Sequence, residues 1–229
     1  MKKTLQLAWF GLLLPFLSPN LVQAETVVEK VARTGFLTVG TRFDAIPYSY
    51  INDQGELVGY SIDVLERVRE NLQTTLGRRV TIQMIEANDP GQRITQLRSG
   101  EIDISCDTAF TWERAKIVDF STSYAISGIR LLTKQGVDLS TPESLTLKRI
   151  AVVPNSVSEN VLKLVQPNVT LITTYATVEE AIEALKTNKI DAIAGDTVAL
   201  AGSILRENPQ EFKMVPEDPY ARFGVACMV

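Results

Sequence analysis

The sequence predicts an α/β fold in which short strands alternate with amphipathic helices that cover a sheet. Residues 36–106 read strand, helix, strand, helix, strand, because brief apolar runs alternate with longer stretches whose apolar residues recur every three or four positions. The same alternation returns over residues 149–206, and Gly, Pro and Asn signals punctuate both halves.

In order, residues 36–40 form a strand, and residues 47–51 extend to the turn signal Asn52-Asp53-Gln54-Gly55. Over residues 60–76, Ile62, Leu65, Val68 and Leu72 fall on one helical face. Residues 80–85 are a strand. Residues 90–97 are a helix whose Pro90 sits in the first turn, where a missing N–H costs nothing. Ser99 and Gly100 introduce the next strand, 102–106. In the second half 128–133 is a strand, 141–144 opens a short helix, and 149–153 is a strand. Helices follow at 156–165, 177–186 and 197–206, with strands at 169–173 and 190–194. The polar, proline-containing residues 207–219 lead irregularly into a last strand, 221–229.

The N-terminus sets the compartment. Lys2 and Lys3 precede an apolar run, 5–17, and Val22-Gln23-Ala24 offers small residues where a signal peptidase reads. Residues 1–24 are therefore expected to be a cleaved signal peptide. The run is broken by Pro15 and Pro19 and falls short of the ~20 residues that a spanning helix needs. Glu25 is no site for a lipid anchor, and no later stretch is long and apolar enough to span. The mature chain is expected to be a soluble periplasmic monomer.

Removing the leader's two lysines leaves 21 basic and 27 acidic residues, a net charge of about −6 that argues against nucleic acid as a partner. The chain has no histidine, which removes the usual general base and the commonest zinc ligand. Its two cysteines, Cys106 and Cys227, form either a disulfide or two buried thiols. No metal or other cofactor is expected.

The stretch 111–124 follows a strand, where α/β proteins keep their ligand sites. Thr111 can cap the turn, Trp112 can supply an apolar wall, and Arg114 brings a planar fork of donors suited to a carboxylate. Arg114 either holds an acidic group of a small ligand or pairs on the surface with Glu113 or Asp119.

Several motifs recur in a telling order: Gly40-Thr41-Arg42, Pro47-Tyr48-Ser49-Tyr50, Gly59-Tyr60-Ser61-Ile62-Asp63, Trp112-Glu113-Arg114, Asp119-Phe120-Ser121 and Arg130-Leu131-Leu132-Thr133-Lys134. Together they resemble the family 3 periplasmic solute-binding proteins, which bind polar amino acids for import by ABC transporters, and among these the glutamate/aspartate binders. The resemblance runs from about Thr38 to Met228. It implies a type II periplasmic-binding fold, with two Rossmann-like lobes, a hinge and a central cleft. Residues 25–129 and 220–229 would form one lobe and 130–219 the other. The chain would cross near 127–133 and again near 218–223, placing Cys227 beside the strand that carries Cys106.

By the same resemblance Arg114 takes the ligand α-carboxylate, and Asp196 accepts its ammonium group while also serving as a helix N-cap. Arg42 and Arg93 match arginines that the acidic-ligand members direct at a side-chain carboxylate. Ser156 either offers its hydroxyl and helix end to an anion or is a plain N-cap. Tyr48 either covers the ligand's aliphatic part near the pocket mouth or packs in the core.

The departures bear on specificity. Asp107 and Ala109 stand where the family carries a small residue and a hydroxyl residue, and the segment 103–114 is one residue shorter than in close relatives. Asp107 either repels an acidic ligand or joins Asp196 on the ammonium, and Thr108 can supply the missing hydroxyl. Val157 replaces a usual threonine, and Val178 sits near a position that is polar in the glutamate/aspartate binders. Relatives continue past the final strand, so a first lobe truncated at its C-terminus is expected, with an apolar face uncovered. Transport is the leading function; a sensor module of the same fold is the alternative, and an enzyme such as a prephenate dehydratase-like protein comes third.

Overall fold

The computed structural model describes residues 25–175 and 177–229, and it opens with a helix that the sequence analysis passed over. The expected signal peptide, 1–24, lies outside the described residues. Helix α1 (Val27–Thr34) begins at a capping box in which Thr26 and Glu29 satisfy each other's backbone N–H groups. It stops at Gly35, whose φ of 80° closes the last turn. Strands β1 (Phe36–Thr41), β2 (Asp44–Ala45), β3 (Ser49–Ile51) and β4 (Leu57–Val58) follow. Then come α2 (Tyr60–Leu76), β5 (Thr81–Glu86), α3 (Pro90–Ser99), β6 (Ser105–Ala109) and β7 (Ala125–Lys134).

The second half contains β8 (Arg149–Ala151), α4 (Val157–Val165), β9 (Thr170–Ile172), α5 (Val178–Lys186), β10 (Ala192–Asp196) and α6 (Thr197–Ile204). Strands β11 (Phe212–Val215) and β12 (Ala221–Met228) complete it. The helices here are capped by their own sequence: Ser156 accepts from Glu159 N–H, Thr177 from Glu180 N–H, and Asp196 from Val198 and Ala199 N–H.

Strand β7 joins the halves. Its first residues pair antiparallel with β12, from Ala125 opposite Val225 to Ile129 opposite Ala221. Its later residues pair with β10 on one edge and β11 on the other. Strand β12 then pairs with β6, so the sheet order runs β6, β12, β7, β10, β8, β9. Strands β1 and β5 pair in parallel, and β2, β3 and β4 form a small meander. One core gathers Val31, Leu37, Val39, Leu65 and both cysteines. Two others, around Leu132, Ile182 and Leu185 and around Leu131, Ile150 and Leu162, lie in the second half.

Two strand expectations are corrected. The strand placed at 102–106 runs instead from Ser105 to Ala109. Ile104 makes only an isolated bridge to Val39, whereas the β12 ladder begins at Ser105. Residues 207–219 were read as irregular, yet they contain β11, whose edge pairing with β7 has no signature in so short a polar stretch.

The open cysteine question is resolved: Cys106 and Cys227 form a disulfide across 121 positions, and no free cysteine remains among the described residues. Beside it lies a β-bulge. Ser105 faces Met228 and Thr108 faces Ala226, so Cys106 and Asp107 together oppose the single residue Cys227.

The halves also touch away from β7 and β12. Arg206 donates to Ile51 O at 3.1 Å and stacks 5.2 Å from the Tyr50 ring. Asn155 donates to Asp89 at 3.2 Å. At Gly202 an added Cβ would lie 2.6 Å from Ile46 O, so only glycine admits this approach of α6. No helix among the described residues is long and apolar enough to cross a membrane.

The disulfide closes a long loop in the unfolded chain, which corresponds to about 3–5 kcal/mol of stabilisation. Replacing Cys106 and Cys227 by serine should lower the urea midpoint accordingly. Reduction should lower the wild-type midpoint to the same level, which equilibrium unfolding with and without a reductant would check.

Candidate ligand-binding site

A cavity of ≈ 110 Å³ lies where the two halves meet. At roughly 10–15 Å³ for each water-sized sphere, that is room for a small metabolite rather than a peptide. Four helices bring their first turns to its wall: α3 through Pro90, α4 through Ser156 to Ser158, α5 through Thr177 and Val178, and α6 through Asp196 and Ala199. The first turns of α4, α5 and α6 are capped there by Ser156, Thr177 and Asp196. Much of the remaining lining is apolar, including Val152, Val153, Phe223 and Val225.

Five charged side chains reach the lining: Arg42, Arg93, Asp107, Arg114 and Asp196. Arg42 is held by Asp44 through two parallel bonds of 2.7 and 2.9 Å. Burial alone would push its guanidinium down, but Asp44, with Asp107 and Glu179 behind it, holds it above its usual value. Arg93 is paired with Asp107, with only 4% and 1% of the two side chains exposed. Arg93 also donates to Cys106 O and Thr108 Oγ.

Asp107 is the best-anchored group in the region. It accepts from Ser49 Oγ at 2.6 Å and Thr41 Oγ at 3.1 Å, and its own N–H donates to the Tyr124 hydroxyl at 2.7 Å. The bulge and a φ of 58° at Asp107 turn its carboxylate off the ladder toward Arg93.

Arg114 and Asp196 differ from these pairs. Arg114 starts a 3-10 turn capped, as expected, by Thr111, and donates to Ala109 O at 3.0 Å. Among the described residues it has no carboxylate partner, so the surface pairing with Glu113 or Asp119 does not form. Burial and the nearby Arg93 push its guanidinium down to about 10, the mark of a cation without a counter-charge. Asp196 caps α6 and accepts from Ser127 Oγ at 2.8 Å, with no cation paired to it. Burial pushes its carboxyl up, only partly offset by these hydrogen bonds.

Ser156 lines the cavity and caps α4 at once. Thr108 is buried and stands outside the lining, tied to Cys106 O and Arg93. Tyr48 is likewise buried and outside the lining, and its hydroxyl finds no partner. Trp112, expected as a wall, is 75% exposed and packs edge-on against Phe110. It lies beyond the capped turn that aims Arg114 inward.

Sequence reasoning missed Tyr175, Thr177 and Phe223 in the lining and Ser127 behind Asp196. Thr177 was legible as an N-cap three residues before Glu180; Ser127 left no signal, because its role depends on β7 lying beside β10. Among the described residues no cluster of three or more side chains could hold a metal.

A partly open cavity between two α/β halves, joined by a pair of adjacent crossing strands, defines a type II periplasmic-binding fold. The profile of the bacterial extracellular solute-binding proteins, family 3, matches residues 37–164, and the chain belongs to that family. The glutamate/aspartate import solute-binding protein of Escherichia coli K12 is 26% identical over 226 residues, covering 93% of this chain and 74% of that protein. A glutamine-binding protein of Geobacillus stearothermophilus is 30% identical over 178 residues, covering 76% of this chain and 66% of its own. A crystal structure of the solute receptor for L-cysteine of Neisseria gonorrhoeae superposes with a TM-score of 0.79 at 20% identity, covering 89% of this chain and 80% of that one.

Truncating Asp107 to alanine should destabilise the fold by about 3–5 kcal/mol, because Arg93 is then buried without a counter-charge. Pairing it with Arg93→Met should recover most of that loss. A double-mutant cycle by urea unfolding measures the coupling; additive losses would show that the pair is not a unit.

Proposed function

We propose that this chain, exported through a cleaved leader at residues 1–24, binds a free α-amino acid in the periplasm and delivers it to an ABC transporter permease in the inner membrane. It acts as a monomer and without catalysis. One observation supports this above the others: of the charged groups lining the cavity, Arg114 and Asp196 alone lack an ionic partner among the described residues, and they are of opposite sign. A zwitterion supplies both missing charges, its carboxylate to Arg114 and its ammonium to Asp196, with Ser156 and the α4 end beside it.

Residues 25–129 and 220–229 act as one lobe and 130–219 as the other, bending where β7 and β12 cross. Ligand docks on the lobe carrying Arg114, and closure brings Asp196 onto it. Only a ligand that touches both lobes shifts the balance toward the closed form. Glutamate or aspartate, the ligand class in the name of the Escherichia coli relative, would bring a second carboxylate to a site whose Arg42 and Arg93 are already paired with Asp44 and Asp107.

Isothermal titration of the exported chain against the amino acids tests the clamp. Arg114→Ala should lose at least about 100-fold in affinity for every amino acid bound, as expected for two charge-assisted hydrogen bonds. Unchanged binding in that variant would overturn the assignment. Because burial raises the Asp196 pKa and the ligand ammonium favours its ionised form, affinity should be full above that raised pKa and fall as pH drops through it. Asp196→Asn should bind more weakly and lose this pH dependence.

A further inference from the structure

The charged groups of the cavity do not leave room for a second charge on the ligand. Arg42 is matched by Asp44 and Arg93 by Asp107, so the three arginines of the lining present one available positive charge, at Arg114. The two aspartates of the lining present one available negative charge, at Asp196. From these balances we infer that the ligand's side chain is uncharged, and that Asp107 is the residue that sets this selectivity by neutralising Arg93. The inference rests on the amino-acid reading above and narrows it to the neutral amino acids.

An acidic side chain entering this site would meet no free cation beyond Arg114, which the α-carboxylate occupies. It would also lie in the same cavity as the Asp107 carboxylate, which is fixed by Arg93, Ser49 and Thr41 and cannot turn away. A basic side chain fares no better, because Asp196 is engaged by the ammonium group and no other acid of the lining is unpaired. The remaining wall holds no further charge, being apolar at Val152, Val153, Val157, Val178 and Phe223 and uncharged at Ser156, Ser158, Tyr175 and Thr177.

A neutral side chain suits the same wall. Arg93 has a buried Nε without a partner, so the Asp107–Arg93 pair is electrically closed while still short of one hydrogen bond. The bulge in β6 makes this arrangement possible. One extra residue opposite Cys227 turns Asp107 out of the ladder and toward α3.

Isosteric ligands isolate the charge from size and shape. With the full chain purified after export, titration calorimetry against glutamine and glutamate, and against asparagine and aspartate, should favour the amide in each pair by at least about 10-fold. The full set of amino acids should show every tight ligand to be neutral. Asp107→Asn keeps the side-chain shape and releases the Arg93 charge. In that variant the preference should shift by about 10-fold or more toward glutamate and aspartate, and either acid should raise its melting temperature more than that of the wild type. Glutamate or aspartate bound by the wild type as tightly as its amide, or more tightly, would overturn the inference and leave the clamp reading standing. Binding of no amino acid, or undiminished binding by Arg114→Ala, would overturn the clamp reading and this inference with it.

Discussion

The buried carboxylate of Asp107 holds the first half of the molecule in register with its own binding site. Through Arg93 it fixes α3, through Thr41 and Ser49 it fixes the ends of β1 and the start of β3, and its N–H engages Tyr124 just before β7. An ion pair this deeply buried contributes little net stability against an apolar alternative. Its value lies in geometry, because removing either partner leaves a charge with nowhere to go. The hydrogen bonds from Thr41 and Ser49 give the carboxylate a single orientation, and Arg93 inherits that orientation at the cavity wall.

The cavity is thus built from two kinds of charge. Arg42 and Arg93 are matched by acids within the fold, whereas Arg114 and Asp196 are left for something else to match. Arg114 gains its place from a short turn capped by Thr111, and Asp196 from the first turn of α6, with Ser127 of β7 locating it. The second contact ties Asp196 to the strand that links the halves.

Much of the fold was legible because it is locally determined. The helix at 60–76 was read to the residue from its apolar spacing, and α4 and α5 announced themselves through Ser156 and Thr177 as caps. Helix α1 was equally legible from Thr26, Glu29 and Gly35 and was overlooked. The position of β6 and the existence of β11 were not legible, since both depend on which distant strand supplies the ladder. In the site, Arg114, Arg42, Arg93, Asp107, Ser156 and Asp196 do line one cavity, whereas Tyr48 and Thr108 stand back from it. What the sequence could not disclose was pairing. Asp44 lies two residues from Arg42 and Asp107 fourteen from Arg93, and nothing in those spacings says that each arginine already has its acid.

The disulfide has a topological consequence. Cys106 and Cys227 bracket the crossing strands, all of the second half and most of the cleft wall within one covalent ring. A protease that cuts the peptide chain once between these positions opens the ring but frees no fragment, so both halves remain a single molecule. The loops that border the cleft between these positions are therefore insured against a single break. The chain can be cut once there and still hold both walls of its site together.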